Sequence, residues 1–253
     1  MDVKGHAAIV TGGGSGMGAA TARRLAAAGA KVALFDVNLD AADAVAREIG
    51  GIAVACDVSD AASAEAAVAR AREAHGPARV AVNCAGVATA GRIVGRDGPL
   101  DLAAFKRVID INLVGTFNIL RLAAHDMTKL DALDTAERGV IVNTASVAAF
   151  EGQIGQAAYG ASKGGVVALG LPAAREFARS GIRVMTIAPG LIGTPMLLGM
   201  PQEVQDSLAA TVPFPTRFGR PEEYADLVLH ILGNVMLNGE VIRLDGAMRM
   251  QPK

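Results

Sequence analysis

The chain contains no tryptophan, only two tyrosines and only two cysteines among its 253 residues. Cys56 and Cys84 have neither the spacing of a zinc site nor that of a disulfide framework. A scaffold held by metal or disulfides is therefore excluded, and a reducing compartment is favoured. The four histidines are scattered along the chain, so we interpret each of them as a structural residue and predict no metal site.

An excess of charge of one sign is missing as well. The formal net charge is −1, and acidic and basic residues are mixed along the chain, which argues against a nucleic-acid partner. The longest stretch without a charged residue, 184–202, contains three prolines and three glycines and cannot form a membrane-spanning helix. We predict a soluble protein with no membrane partner, located in the cytoplasm or, if the source is eukaryotic, in the mitochondrial matrix.

Short apolar runs of strand-forming residues alternate with alanine-rich helical stretches along the whole chain. The predicted strands cover about 6–12, 31–37, 52–58, 79–86, 139–146, 182–190 and 240–246. The predicted helices cover about 17–28, 40–49, 61–75, 101–130, 156–179, 203–210 and 221–233. Nearly continuous apolar strands are typical of a parallel sheet with helices on both faces. We predict one doubly wound α/β domain of the Rossmann type over 1–253, with about seven strands.

The turn after the first strand is rich in glycine and reads TGGGSGMG over 11–18. Gly12 permits a tight turn out of the strand. Gly16 and Gly18 let the backbone approach a pyrophosphate and let the following helix pack closely on the sheet. The N-terminus of that helix offers unpaired N–H groups to phosphates, so the pattern predicts a dinucleotide site.

Two acidic residues end the next strands. Asp36 ends the second strand, where a carboxylate can accept hydrogen bonds from an adenine ribose and would repel a 2′-phosphate. We therefore predict NAD rather than NADP as the cofactor. Asp57 ends the third strand, where it either meets the adenine or caps the next helix.

Tyr159 and Lys163 lie four residues apart near the start of a predicted helix, so their side chains share one face. Ser146 ends the fifth strand at the sheet edge where ligands bind in such folds. A nearby ammonium and a positively charged nicotinamide would lower the pKa of the phenol, which ordinarily lies near 10. Tyr159 would then exchange a proton with a substrate while Ser146 holds the same oxygen. The alternatives are a chance surface pair and a buried hydroxyl at the strand end.

In this order and spacing, the motifs TGGGSGMG, NCAG, NTAS, YGASK and APG resemble the short-chain dehydrogenase/reductase family. The resemblance covers nearly the whole chain and implies that Ser146, Tyr159 and Lys163 form a catalytic group. It also implies that Asn112 supports a proton-relay water, although Asn112 would carry no proton if it were only a helix-interior residue bonded to backbone. The NAD-binding residues that it implies are Gly12, Ser15, Gly16, Met17, Gly18, Asp36, Asp57, Val58, Asn83, Cys84, Ala85, Gly86, Tyr159, Lys163, Pro189, Gly190, Ile192 and Thr194.

The chain departs from the usual family pattern at two positions. Cys84 stands where a second asparagine is usual, and Ala247 stands where glycine is usual. Neither position touches the expected proton chemistry.

Longer segments, including NTASVAAFEGQIGQAAYGASKGG and LNGEVIRLDGAMRM, resemble family members that interconvert 3-hydroxyacyl-CoA and 3-ketoacyl-CoA with NAD. That resemblance also implies a homotetramer. The connection 191–216 is long and rich in Met, Leu, Pro and Gly, so we predict that it forms a lid over the substrate. The predicted substrate residues are Ser146, Tyr159, Met196, Leu197 and Met200, with Leu198 and Phe214 as further candidates. The alternative is that the apolar lid residues fill the core or a subunit interface.

Two other functions remain open at this stage. One is a short-chain dehydrogenase that acts on a steroid, another secondary alcohol or a 3-ketoacyl-carrier-protein. The other is a non-catalytic nucleotide-binding scaffold, against which the complete catalytic group argues. Asp36 argues against the carrier-protein reductases because they use NADPH. Arg92 and Arg96 would either meet coenzyme A phosphates or remain solvated loop charges.

Overall fold

The predicted strands pair into one parallel sheet in this computed structural model, which describes residues 1–252 apart from the side chain of Met196. In chain order the strands are β1 (Ala7–Thr11), β2 (Lys31–Asp36), β3 (Ile52–Ala55), β4 (Val80–Asn83), β5 (Val94–Gly95), β6 (Gly98–Pro99), β7 (Gly139–Thr144), β8 (Ile182–Pro189) and β9 (Val241–Leu244). Seven of them form the sheet in the order β3-β2-β1-β4-β7-β8-β9, while β5 and β6 form a small antiparallel hairpin.

Helices cover both faces of this sheet. They are α1 (Gly16–Ala27), α2 (Leu39–Ile49), α3 (Ala61–His75), α4 (Leu102–Ile109), α5 (Gly115–Met127), α6 (Ala157–Phe177), α7 (Pro195–Leu198), α8 (Gln202–Ala209) and α9 (Pro221–Gly233). Because successive strand residues point to opposite faces, Val10 packs with Leu25 of α1 and Val228 of α9, whereas Ile9 packs with Val68 of α3. The prediction of a single doubly wound α/β domain is confirmed.

The strand order reverses at β1, which pairs with β2 on one side and with β4 on the other. Thr11 of β1 is in register with Asn83 of β4, and Asn83 is in register with Asn143 of β7. The carboxyl ends of these strands therefore meet at one edge. In an open parallel sheet the crevice at this reversal is where ligands bind, so the fold positions a site there.

The helix predicted over 101–130 is interrupted in the structure. Residues Asp110–Val114 form a π-helical segment between α4 and α5, and Gly115 N–H donates to the carbonyl of Asp110 five residues earlier. A π segment inserts one extra residue per turn and often lies at a functional site. Asn112 lies at the centre of this segment, and its side chain is hydrogen-bonded to Val87 in the loop after β4.

Two further local features differ from the prediction. The β5–β6 hairpin lies in a loop that carried no strand pattern. The segment 191–216, which we predicted to form a lid, contains the short helix α7 in addition to the expected α8. Among the described residues, no helix combines the length and the apolar character required to cross a membrane.

Candidate active site

The glycine-rich turn leaves no room for side chains. Gly12 has a φ of 62°, and a Cβ placed on it would lie 2.9 Å from the backbone nitrogen of Ala85 after β4. A Cβ on Gly18 would collide with the carbonyl oxygen of Gly12. The turn therefore folds back on itself, and the N-terminus of α1 packs against the ends of β1 and β4.

A cleft of about 870 Å³ opens above this turn. The predicted cofactor residues that line it are Gly12, Ser15, Gly16, Met17, Gly18, Asp36, Asp57, Val58, Cys84, Ala85, Gly86 and Thr194. The cleft thus combines a helix N-terminus, a glycine cradle and a carboxylate at the end of β2. This combination fits a dinucleotide, whose pyrophosphate requires exposed N–H groups and whose ribose requires acceptors.

Backbone donors fix the orientation of the Asp36 carboxylate. One of its oxygens accepts from Gly14 N–H at 2.9 Å and the other accepts from Asn38 N–H at 2.9 Å. Each oxygen keeps a second lone pair for a ligand hydroxyl. Asp57 also lines the cleft, but its Oδ1 already accepts from Ser59 N–H and from the Ser59 hydroxyl at 2.6 Å.

The N-cap role that was weighed for Asp57 belongs to a neighbouring residue. Asp60 is the N-cap of α3, where its carboxylate accepts from Ser63 N–H at 2.7 Å.

A second cavity of about 210 Å³ contains the proposed catalytic group. Its walls include Ser146, Tyr159 and Lys163, together with Thr144 at the end of β7. Tyr159 lies in the first turn of α6, and the Nζ atom of Lys163 lies 5.8 Å from the centre of its ring. The structure therefore brings together the three residues that the sequence placed on two separate elements.

Burial dominates the electrostatics of this cavity in the protein without cofactor. Burial raises the pKa of the Tyr159 hydroxyl, and hydrogen bonding with Ser146 opposes this shift only in part. Burial also lowers the pKa of Lys163 to about 8. The Lys163 ammonium donates to the carbonyl of Thr144 at 2.8 Å, so its nearest partner is neutral backbone. Burial therefore sets the direction of the Tyr159 shift in the protein alone, and the expected lowering of the phenol pKa by the ammonium together with a bound nicotinamide stays a prediction.

The amide side chain of Asn112 is fully buried and occupied by protein partners. Its Oδ1 accepts from Val87 N–H at 2.8 Å, while its Nδ2 donates to the Val87 carbonyl at 2.9 Å and to the Ser162 hydroxyl at 3.0 Å. Both amide hydrogens are used in these bonds. The Asn112 side chain therefore ties the loop after β4 to α6, and the support of a proton-relay water that the family resemblance implies stays a prediction.

The segment after β8 reaches the same cavity. Pro189, Gly190 and Ile192 line the cavity that contains Tyr159, and Thr194 lines both this cavity and the larger cleft. Asn83, also predicted to bind the cofactor, is not among the residues that line these two cavities. It is buried, and its Nδ2 donates to Asn143 Oδ1 at 2.9 Å on the next strand, so its side chain stabilises the sheet interior.

Only part of the predicted lid surface faces the cavity. Leu197 lines it, whereas Leu198, Met200 and Phe214 are 54%, 38% and 82% exposed and lie outside both described cavities. The prediction for the side chain of Met196 falls outside the described residues. Because α7 is a helix, adjacent residues point in different directions, and of its two leucines only Leu197 lines the smaller cavity.

Arg92 and Arg96 flank or lie within the β5–β6 hairpin and are exposed. Their side chains lie outside both described cavities.

Sequence reasoning missed several residues of this site. Gln156 and Met250 line the smaller cavity, and Thr144 supplies the carbonyl that binds Lys163. Gln156 precedes Tyr159 by three residues, and helical spacing was a signal that could have identified it. Its Oε1 is buried and has no hydrogen-bond partner among the described residues. Met250 comes from the C-terminal end of the chain, and no local pattern indicated it.

The fold and this constellation define a class of protein. Residues 6–204 match the family model for short chain dehydrogenase, and the chain belongs to that family. The chain is similar to 3-hydroxyacyl-CoA dehydrogenase type-2 of Homo sapiens, with 52% identity over 99% of this chain and 97% of the human protein. The Drosophila melanogaster protein of the same name is 50% identical, over 99% of this chain and 100% of its own length. The crystal structure of 3-hydroxyacyl-CoA dehydrogenase type-2 from Mycobacterium avium matches with a TM-score of 0.93 and 44% identity, covering 98% of both chains.

Within residues 1–252, no group of three or more His, Cys, Asp or Glu side chains has the arrangement of a metal site.

Proposed function

We propose that this chain is an NAD-dependent oxidoreductase that interconverts a 3-hydroxyacyl-CoA and the corresponding 3-ketoacyl-CoA. One observation carries the proposal: the dinucleotide cleft and the catalytic cavity share a wall. The residues that line both are Met17, Cys84, Gly86, Val87 and Thr194. A nicotinamide at this end of the cleft would lie beside the hydroxyls of Ser146 and Tyr159.

The choice of NAD rests on Asp36. Its carboxylate lines the cleft and is held in place by two backbone N–H groups, so it cannot easily turn away from a ligand. A 2′-phosphate beside it would place like charges within a few ångströms. At an effective dielectric constant near 20, such a pair 4 Å apart costs about 4 kcal/mol before screening. Asp40, in the first turn of α2, is exposed and does not line the cleft, so the expected cofactor choice depends on Asp36.

NAD, when bound, supplies the acceptor for the hydride that leaves the alcohol carbon. Tyr159 takes the hydroxyl proton during oxidation and returns it during reduction. Ser146 Oγ accepts from Ala148 N–H at 3.1 Å, which leaves its own hydrogen for the substrate oxygen or for Tyr159. Lys163 places a positive charge near the ring of Tyr159, and Asn112 positions the loop after β4 against α6.

The acyl-CoA substrate is supported by the names of the full-length relatives and by the chemistry of the cavity. Its walls combine the polar catalytic group with the apolar side chains of Val147, Leu191, Leu197 and Met250. A hydroxysteroid would also need an apolar binding surface, so a hydroxysteroid is the second candidate substrate. A carrier-protein reductase is disfavoured by Asp36, and a silent scaffold is disfavoured by the complete catalytic group.

Cofactor fluorescence tests the proposal directly. NADH is titrated into the protein, and its emission is then followed after addition of acetoacetyl-CoA. We expect binding of NADH followed by loss of emission as NADH is oxidised. Turnover with a steroid or simple ketone but not with acetoacetyl-CoA would favour the second candidate, and binding without any turnover would favour a scaffold.

We further propose that the chain self-associates as a homotetramer. Val114 and Phe117 lie one turn apart at the start of α5 and are exposed, and Leu171 on α6 is exposed as well. Large apolar side chains on helix faces are typical of subunit contacts. Sedimentation of the intact protein measures the assembly. We also propose that residues 191–216 form a lid over the substrate. The proposed location is the cytoplasm or, in a eukaryote, the mitochondrial matrix.

A further inference from the structure

The end of the chain forms part of the substrate cavity. Met250 lines the cavity of about 210 Å³ together with Ser146, Tyr159 and Leu197. It packs against an apolar cluster that contains Val147, Val212 and Met248. Residues 248–252, called the tail below, thus contribute a wall that the lid does not supply.

We propose that Met250 is a specificity residue that contacts the acyl portion of the substrate, and that Glu151 is a positioning residue that holds Met250 in place. This inference rests on the proposed acyl-CoA function and deepens it. It assigns the tail a role in selecting acyl-chain length.

Glu151 binds the tail directly. Its Oε2 accepts from Met250 N–H at 3.1 Å. The same carboxylate accepts from both terminal nitrogens of Arg243, at 2.7 and 3.1 Å, in a two-pronged pair. Arg243 also donates to the carbonyl of Met248 at 3.1 Å. The ion pair therefore fixes the backbone on both sides of Arg249, so that Met250 is held in a defined orientation.

The ion pair is partly protected from water, with about a fifth to a quarter of each side chain exposed. Hydrogen bonds from Arg243 hold the pKa of Glu151 below its usual range, so the carboxylate stays ionised at neutral pH. A second cation, Arg249, lies 3.3 Å from the same carboxylate. Loss of the negative charge at residue 151 would leave Arg243 and Arg249 to share the single carboxylate of Asp245.

The loop 151–156 forms two further bonds with the tail. Gln153 Nε2 donates to the carbonyl of Gln251 at 2.9 Å, and Ile154 N–H donates to the carbonyl of Pro252 at 3.0 Å. This loop leads directly into α6, which carries Tyr159. The tail and the entrance to the catalytic helix therefore form one hydrogen-bonded unit beside the cavity.

The chemistry of Met250 suits an acyl chain. Its side chain is unbranched and flexible, so it adapts to chains of different length, and it offers no hydrogen-bond donor to a polar ligand. Leu197 from α7 supplies a second apolar wall to the same cavity. An acyl chain would thus lie between two segments that are far apart in the sequence.

The test compares Met250→Ala, Met250→Leu and Glu151→Gln with the wild type in the full-length protein. Steady-state reduction is measured with NADH and the 3-ketoacyl-CoA series from acetoacetyl-CoA to 3-ketodecanoyl-CoA. Met236→Ala is the matched control because Met236 is 92% exposed. For Met250→Ala we expect KM to rise about fivefold for the longest substrate and less than about twofold for acetoacetyl-CoA, with kcat little changed. Met250→Leu should have KM values close to those of the wild type at every chain length, because leucine keeps most of the apolar side chain.

Glu151→Gln should also raise KM more for long 3-ketoacyl-CoA substrates than for acetoacetyl-CoA. If Glu151 acts through Met250, the double variant Glu151→Gln/Met250→Ala should be no worse than Met250→Ala. Equal KM changes at all chain lengths, failure of Met250→Leu to rescue, or multiplied effects in the double variant would overturn the inference alone. Absence of turnover by the wild type with every 3-ketoacyl-CoA would overturn both the inference and the proposed function. Thermal melts of each variant exclude loss of folding as the cause.

Discussion

Lys163 donates to the carbonyl oxygen of Thr144 at 2.8 Å, and this bond fixes α6 to the end of β7. The hydroxyl of Thr144 in turn lies 2.7 Å from the hydroxyl of Tyr224. The two tyrosines of the chain therefore lie near the same residue, Thr144 at the end of β7, but in different surroundings. Tyr159 lines the catalytic cavity, whereas Tyr224 is buried beneath it on α9.

The two tyrosines provide a matched pair of substitutions. We expect Tyr159→Phe to bind NADH normally and to lose turnover by several orders of magnitude, because the proton donor is removed. Tyr224→Phe should retain most turnover and lower the free energy of unfolding by about 1 kcal/mol, the usual net value of one buried hydrogen bond. Steady-state kinetics measures the turnover of each variant, and urea denaturation measures its free energy of unfolding. Near-normal turnover in Tyr159→Phe would contradict its assigned role.

The lowered pKa of Lys163 makes stability depend on pH. Its pKa is about 8 in the folded protein against an ordinary value of 10.5, so the unfolded chain binds more protons between these two values. The free energy of unfolding should therefore rise as the pH increases above about 8, by at most about 1.4 kcal/mol per pH unit from this group. In Lys163→Met this contribution disappears. The measurement is urea denaturation without added cofactor between pH about 8 and about 9.5, and equal slopes for both proteins would refute the expectation.

Cofactor choice should depend on Asp36. We expect the wild type to prefer NAD(H) over NADP(H), since even half of the like-charge repulsion estimated above corresponds to roughly thirtyfold in kcat/KM. Asp36→Ala should reduce this ratio. Asp40→Ala is the control, because Asp40 is exposed on the next helix and lies outside both described cavities. The assignment is wrong if the ratio is unchanged in Asp36→Ala, or if Asp40→Ala reduces it equally.

Neighbouring leucines of α7 test the lid. Leu197 lines the cavity, whereas Leu198 is 54% exposed. We expect Leu197→Ser to raise KM increasingly with acyl-chain length, because each buried methylene contributes about 0.8 kcal/mol. Leu198→Ser should leave this profile unchanged. The same KM increase at every length in Leu197→Ser, or loss of the assembled oligomer in sedimentation, would instead favour an interface role for the lid.

Ala247 adopts a strained backbone conformation. Its φ is 66°, in the left-handed region, and its family counterpart is usually glycine. The left-handed conformation costs a residue with a Cβ about 1–2 kcal/mol, and part of the relief in glycine is offset by greater freedom of the unfolded chain. We expect Ala247→Gly to raise the free energy of unfolding by about 0.5–1 kcal/mol. Urea denaturation measures this change, and a destabilised variant would show that the alanine methyl makes favourable contacts.

The sequence by itself determined the layers of the fold and the positions of the main chemical groups. Nearly continuous apolar runs specified the strands, and glycine at 12 and 18 specified the turn, because these properties depend on local sequence and geometry. Spacing of four placed Tyr159 and Lys163 on one helix face. A parallel sheet brings strand ends to one edge, which located Ser146 beside them before any contact was known.

The tertiary structure alone decided what surrounds those groups. Burial set the direction of the pKa shifts of Tyr159 and Lys163, and desolvation depends on every neighbouring element rather than on sequence spacing. Long-range packing also determined that, among the described candidates in the predicted lid, Leu197 lines the smaller cavity. Met250 reaches the cavity through the pairing of Glu151 with Arg243, which lie 92 residues apart in the chain. Contacts over such distances leave no periodic signal in the sequence, because they depend on where separate elements meet after folding.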